Sequence, residues 1–265
     1  MKIEILQDRI MERGMVFAFL LVTPALVMLF FGKSQPDFPA VGPVVCGVTA
    51  VAGFCVLRVE WRKLRKLREE FRNHRLGFDG ERYVAEKLTE LIPLGYRVYH
   101  DFVFDMKPGG DATNFNIDHV MVGPAGVFAI ETKTFRQPNK DLAGVDKPHE
   151  VVVEGDWLIL PGGWKTKRPT EQARRNAEDL SSWLTGSSKR RIEVVPIVAM
   201  PGWFVREERA GDVKVISARA LPKIIPYLGG KENLRLDEIR SINDRVEAHC
   251  RSVEGGMGVV SERGQ

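Results

Sequence analysis

Three residues come first because their types and spacing can do chemistry: Asp118, Glu131 and Lys133, within NIDHVMVGPAGVFAIETK, residues 116–133. Side chains alternate across a strand, so Asp118, Val120 and Val122 share one face of a first strand. Val127, Ala129, Glu131 and Lys133 share one face of a second. If Gly123-Pro124-Ala125-Gly126 closes an antiparallel hairpin, Val122 pairs with Val127, Val120 with Ala129 and Asp118 with Glu131. Opposed residues point to the same face with Cβ atoms ~5 Å apart, and like charges in that position destabilise a hairpin. A divalent cation between the carboxylates relieves the repulsion. Mg²⁺, with Mn²⁺ as its substitute, takes hard oxygen ligands, keeps several waters and uses one or two carboxylates together with a substrate phosphate. Lys133 then stands where it can orient or deprotonate an attacking water, or stabilise charge on the phosphate. The chemistry is hydrolysis of a phosphodiester. The alternative is a solvated strand face on which Glu131 and Lys133 form a weak surface pair. The valines and Ala129 on the same face speak for burial, and half-buried acids need partners or a metal.

Other chemistries have less to stand on. The sequence contains no G-x-x-x-x-G-K-[ST], no H-E-x-x-H and no G-x-S-x-G. Gly109-Gly110 and Gly162-Gly163 are too isolated to cradle phosphates. Cys46, Cys55 and Cys250 have neither zinc spacing nor a disulfide framework and read as reduced thiols, which suits a cytosol-facing protein. His119 follows Asp118 and therefore faces away from it, which suggests a structural role on the opposite face. Trp157, Trp164 and Trp203 could stack on bases or serve in packing.

Several elements must position these residues. Phe78–Ile92 has the period of an amphipathic helix, with Val84, Leu88, Leu91 and Ile92 on one stripe. Tyr96–Phe104, Asn116–Val122 and Val127–Phe135 read as strands, and Lys107–Thr113 as a loop. Val151–Glu154 and Trp157–Leu160 suggest a second hairpin. Thr170–Leu184 reads as a helix with Thr170 as N-cap and Ala173, Ala177, Leu180 and Leu184 inward. Glu193–Met200 reads as a buried strand and Val213–Ile216 as a short one. Helices follow near residues 218–228 and 236–250. This order predicts an α/β fold of the α+β kind, a mixed sheet flanked by helices.

Charge is segregated along the chain, so the net +4 describes neither half. Gly14–Gly32 and Phe38–Leu57 carry no charge. Each is long enough, at ~1.5 Å per helical residue, to span a hydrocarbon core of ~30 Å. With the short connector Lys33–Asp37 they predict a two-helix transmembrane hairpin. Arg58–Arg75 holds eight Lys/Arg against three Glu. By the positive-inside rule this run puts both termini and the later domain on the cytoplasmic side of the cell (inner) membrane. It reads as a basic juxtamembrane helix against anionic headgroups. The expected division is 1–58 for the transmembrane segment and 59–76 for the basic helix. A core follows over 77–184, a strand and helix extension over 185–250, and a flexible tail over 251–265.

Gly80-Glu81, Asn116-Ile117-Asp118-His119, Gly126-Val127-Phe128 and Glu131-Thr132-Lys133, in this order and spacing, resemble the nuclease-related domain, or NERD, of the PD-(D/E)xK nuclease superfamily. The resemblance runs from about Gly77 to Leu184. It implies a restriction-endonuclease-like core in which Asp118 and Glu131 bind Mg²⁺ or Mn²⁺. It makes Lys133 the catalytic lysine and Glu81 a supporting acid that also reaches the metal. Glu81, Val84 and Leu88 follow at i, i+3 and i+7, which agrees with an inward Glu81, whereas Glu86 and Glu90 lie off that stripe. The superfamily's proline before the Asp is replaced here by Ile117. The resemblance also touches Pro169–Gln172, so Gln172 becomes a possible substrate contact, and Arg174 and Arg175 are candidates for phosphate. The implied activity is membrane-anchored, metal-dependent hydrolysis of nucleic acid, DNA before RNA. The alternative is a non-catalytic module of the same fold that binds nucleic acid or a protein partner at the membrane.

Overall fold

The computed structural model describes residues 2–31, 41–104, 116–138, 147–186, 191–229 and 234–262. In chain order the helices and strands are α1 (Lys2–Phe31), α2 (Val41–Thr89), β1 (Arg97–Val103), β2 (Asn116–Gly123), β3 (Gly126–Thr132), β4 (Glu150–Glu154), β5 (Trp157–Ile159) and β6 (Lys165–Thr166). They continue with α3 (Arg168–Thr185), β7 (Val194–Met200), β8 (Phe204–Arg209), β9 (Lys214–Ser217), α4 (Leu221–Ile224) and α5 (Leu236–Glu262). The connector Lys33–Asp37 and the loop Lys107–Thr113, with Gly109-Gly110, lie outside the described residues. The chain divides into two compact units, Met1–Leu76 and Gly77–Gln265.

The first unit is helical. Arg13 and Glu60 form an ion pair at 2.6 Å, Phe17 meets the Trp61 ring at 5.6 Å between centroids, and Leu6 and Leu64 are buried. The expectation of a transmembrane hairpin is corrected here. Among the described residues, no helix is long and apolar enough to cross a membrane. The helices do not begin and end with the uncharged runs. α1 starts at Lys2 and carries Glu4, Asp8, Arg9, Glu12 and Arg13, while α2 continues from its uncharged start through the charged stretch to Thr89.

In the second unit, β1, β2, β3, β7 and β9 form a five-stranded sheet in that order, among the described residues. β1–β2 and β2–β3 are antiparallel, whereas β3–β7 and β7–β9 are parallel. A parallel pair needs a crossover, and α3 supplies it by packing on both β3 and β7. Strand alternation then divides the core. Met121, Phe128 and Ile130 bury against Val84 and Leu88 of α2 and Leu91 in the turn that follows it. Val120, Val122, Val127 and Ala129 bury against Ala177, Leu180 and Leu184 of α3 and Ile239, Ile242 and Val246 of α5. The sheet is therefore a middle layer between helices, the mixed arrangement that the pattern of elements predicts.

The β2–β3 turn keeps the anticipated register: Gly123 faces Gly126, Val122 faces Val127 and Val120 faces Ala129. Gly126 adopts φ +136°, a conformation open to glycine, and a Cβ on Gly123 would strike the Tyr96 ring at 2.1 Å. A smaller sheet, β6-β5-β4-β8, packs through Val151, Val153 and Leu158 onto Val198, Met200 and Ala173. β6 and β8 are not visible in the hydropathy pattern, because β6 has two residues and β8 buries none. α3 starts two residues earlier than its periodicity suggests. Lys167 occupies the N-cap, and the single Thr170 hydroxyl proton is shared between Asp156 O at 2.7 Å and Lys167 O at 2.8 Å. α5 runs on past Cys250 to Glu262, into the stretch that reads as a tail.

Candidate active site

The β2–β3 ladder runs from Gly123↔Gly126 to His119↔Ile130, and Asp118 is the next residue. There the pairing changes character. The Thr132 N–H donates at 2.7 Å to Asp118 Oδ2, so a side chain takes the place of a backbone carbonyl. Beyond it β3 is held from the other side, with Lys133 N–H donating to Ala199 O at 2.9 Å. At this end of the sheet α2 approaches the chain leaving β3: a Cβ on Gly80 would lie 2.1 Å from Thr134 Cγ2. The result is a polar cavity of about 280 Å³ lined by Glu81, Asn116, Asp118, Glu131, Thr132, Lys133, Gln172 and Asn176.

Four acid and base candidates from the sequence thus meet in one place: Glu81, Asp118, Glu131 and Lys133. Gln172 lines the same cavity. Arg174 does not; it donates to Asp212 Oδ1 and Oδ2 and to Asp156 Oδ1, tying the β4–β5 turn to the segment before β9. Arg175 is exposed on α3 and does not line the cavity. His119 is buried on the opposite face, with Nδ1 2.8 Å from His100 Nδ1. Burial, reinforced by the His100 charge, pushes it down to about 3, so it is neutral at ordinary pH.

Glu131 is the centre of the site. It is 2% exposed, with Oε1 accepting from Lys133 Nζ at 2.8 Å and Oε2 from Asn176 Nδ2 at 3.1 Å. Burial, followed by the nearby Asp118 charge, raises it to about 7 in spite of the lysine. Asp118 is also raised, chiefly by burial, against the pull of the Thr132 N–H and Lys133. Glu81 is raised by burial and then by Asp118 and Asp101. Three acids that resist ionisation around one lysine, in a polar cavity, mark a candidate functional site.

Sequence reasoning misses two contributors. Asn176 follows Gln172 by four residues, one helical turn, and that spacing is the signal that could have found it. Asp101 is the other. β1 pairs His100 with His119 and Phe102 with Ile117, which leaves Asp101 between them, level with Asp118. It adopts φ +50° and its carboxylate accepts from Asn116 Nδ2 at 3.3 Å.

The residues present suit a hard cation in one respect and limit it in another. The cavity offers carboxylate oxygens, and two further buried oxygens on its lining, Thr132 Oγ1 and Asn116 Oδ1, have no hydrogen-bond partner among the described residues. Buried oxygens without partners await a water or a ligand. Among the described residues, however, no group of three or more His, Cys, Asp or Glu is arranged to hold a metal ion. The lining is therefore not an all-protein cage; what it could offer is one or two carboxylates to an ion that completes its shell with water and substrate.

Residues 76–201 match the family model of the nuclease-related domain. That span begins at the boundary between the two compact units and ends just after β7. It includes every residue lining the cavity. No curated protein and no solved structure matches the chain.

Proposed function

We propose, from a nuclease-related domain at residues 76–201, that this chain hydrolyses phosphodiester bonds in DNA with a divalent cation. The observation that carries the reading is a buried acid, Glu131, and a half-buried one, Asp118, sharing one polar cavity with Lys133. When bound, Mg²⁺ or Mn²⁺ would supply Lewis-acid stabilisation of a phosphate oxygen and acidify a water. Asp118 and Glu131 would hold it, with Glu81 as a supporting acid. Asn176 fixes the Glu131 carboxylate while Lys133 is free to turn from it toward the phosphate, because the lysine is the more exposed partner of their ion pair. Its ammonium then neutralises charge on a non-bridging oxygen. Gln172 offers an amide to the substrate, and Arg175 is the arginine of the pair that remains open to phosphate, since Arg174 is committed to Asp156 and Asp212.

The test is cleavage of DNA by the full chain with Mg²⁺ or Mn²⁺, beside a Glu131→Ala, Lys133→Ala double variant. The wild type should cut and the double variant should lose at least about a hundredfold in rate, the scale of one lost charge-stabilising group. Equal behaviour of the two sinks the proposal. A second reading, a non-catalytic module that binds nucleic acid or a partner, is favoured by one observation: both Glu131 oxygens already have protein partners. Calorimetric titration of Mn²⁺ separates them, since absence of binding at millimolar levels supports the module.

A further inference from the structure

We propose that a second cavity, next along the chain from the acidic site, is a stacking pocket for one unpaired base of a single-stranded nucleic acid, with Trp164 as its platform. The inference rests on the phosphodiesterase reading and deepens it by naming the form of the substrate. The cavity has a volume of about 430 Å³, within the range that holds small ligands. Phe135, Leu160, Pro161 and Trp164 make its apolar wall, and Arg136 and Gln137 its polar edge.

The pocket is joined to the acidic site by a short, well-held segment. Lys133 lines the first cavity and Phe135 the second. Between Lys133 and Gln137 the chain is tied beside residues 199–203. Lys133 N–H donates to Ala199 O at 2.9 Å, Trp203 Nε1 donates to Phe135 O at 3.3 Å, and Gln137 Nε2 donates to Gly202 O at 2.5 Å. Lys133 and Phe135 are two residues apart, so the chain between them reaches at most ~7 Å, about one nucleotide step along an open strand. A base in the second cavity therefore belongs to the nucleotide that flanks a phosphate at Lys133.

Trp164 is presented, not packed away. It is 56% exposed, and its ring meets Phe135 edge to face at 5.5 Å. A tight turn holds it in place: Gly163 N–H donates to Leu160 O at 3.1 Å and Leu160 N–H to Trp164 O at 2.9 Å. Gly162 and Gly163 both take positive φ, +86° and +80°, which the turn requires. Trp203, by contrast, is 2% exposed and spends its N–H on Phe135, so it belongs to the wall. A rigid exposed indole is a platform for any π face, and base–aromatic stacking is how unpaired strands are held without sequence preference. The polar edge matches a base as well, since the Gln137 side chain carries an amide oxygen of the kind that accepts from a base edge. A base inside a duplex has neighbours on both faces and cannot enter.

The experiment measures binding of a short labelled single strand of DNA, by fluorescence anisotropy in EDTA, to the full chain and to its Trp164→Ala and Trp164→Phe variants. Trp164→Ala should weaken binding by about five- to a hundredfold, the loss of one base–aromatic stack, while Trp164→Phe keeps most of the affinity. A single abasic position should weaken the wild type and add nothing to Trp164→Ala. Affinity for a blunt duplex should be the same in all three proteins. Equal affinity of wild type and Trp164→Ala for the single strand overturns the pocket, as does an equal loss on duplex, or failure of the wild type to bind the single strand. Trp164-dependent binding without metal-dependent cleavage keeps the pocket and removes the hydrolase reading. Cleavage indifferent to Trp164 and to abasic positions does the reverse.

Discussion

Glu131 is held where an acid is least at ease, and its titration should be visible in the stability of the metal-free chain. Its carboxyl lies at about 7 in the fold against an ordinary 4.5, mainly because it is buried and then because Asp118 is near. A carboxyl raised in this way binds its proton more tightly when folded. Its contribution is therefore fully present below about 4.5 and is lost as pH rises through about 7. Glu131→Gln cannot titrate, so the variant should gain on wild type as pH rises from 4.5 to 7.5, by up to about 3 kcal/mol. Denaturant unfolding at several pH values measures it, and a difference that does not change with pH would refute the assignment. His119 runs the other way. Its imidazole is pushed down to about 3 by burial and His100, so its contribution is present above about 6.5 and is lost as pH falls toward 3. Against a His119→Gln variant, wild type should lose about 2 kcal/mol between pH 6.5 and 5. The two slopes oppose each other between about pH 4.5 and 6.5, so the wild-type profile alone hides both. Only the difference from each variant exposes them.

Between elements, the critical joint is where α2 meets the chain leaving β3. Gly80 sits there with Thr134 Cγ2 in the space a Cβ would need, at 2.1 Å, and Pro201 Cγ at 3.4 Å. Gly80→Ala should therefore cost about 1–3 kcal/mol by overpacking, although alanine is otherwise the better helix former. It should also lower any cleavage rate, because Glu81 rides on the same turn. Thr134→Ser removes the obstructing methyl, so the double variant should recover most of the loss. A purely additive double-mutant cycle would show that the two residues do not press on each other. This joint also marks how far the sequence could be read. The β2–β3 register was legible because a fixed turn and strict alternation determine every pair from Gly123–Gly126 to Val120–Ala129. Glu81 was legible through the resemblance at Gly80-Glu81, with which its helical spacing agrees. Asp101 was not, because its place opposite Asp118 depends on how β1 registers on β2, and no short turn joins those strands to fix it. Asn176 was half legible, one helical turn from Gln172. Arg174 shows the converse: an arginine near a site, whose partners Asp156 and Asp212 come from distant segments that spacing cannot reveal.

For the whole molecule, the uncharged runs of the first unit say less than their composition suggests, since helices that contain them also carry charge at Lys2–Arg13 and beyond Arg58. What organises the chain is the core of the second unit. All three buried clusters draw their residues from Tyr83 onward, and the boundary between units, at Leu76–Gly77, coincides with the start of the match to the nuclease-related domain. The sheet has helices on both faces from within this unit: α2 residues from Val84 on one side, and α3 and α5 on the other. A fragment beginning at Gly77 keeps all of these contacts. It should therefore unfold cooperatively by scanning calorimetry and keep the buried environment of Glu131. The sharper measurement repeats the Glu131→Gln comparison in that fragment. The pH course of the difference should match that of the full chain, because the charged groups that shift Glu131, which are Asp118, Lys133 and Glu81, and the Asn176 amide that holds it all lie after Gly77. A fragment that melts without a cooperative transition, or whose Glu131 difference is flat with pH, would mean that residues 1–76 are needed to build the site.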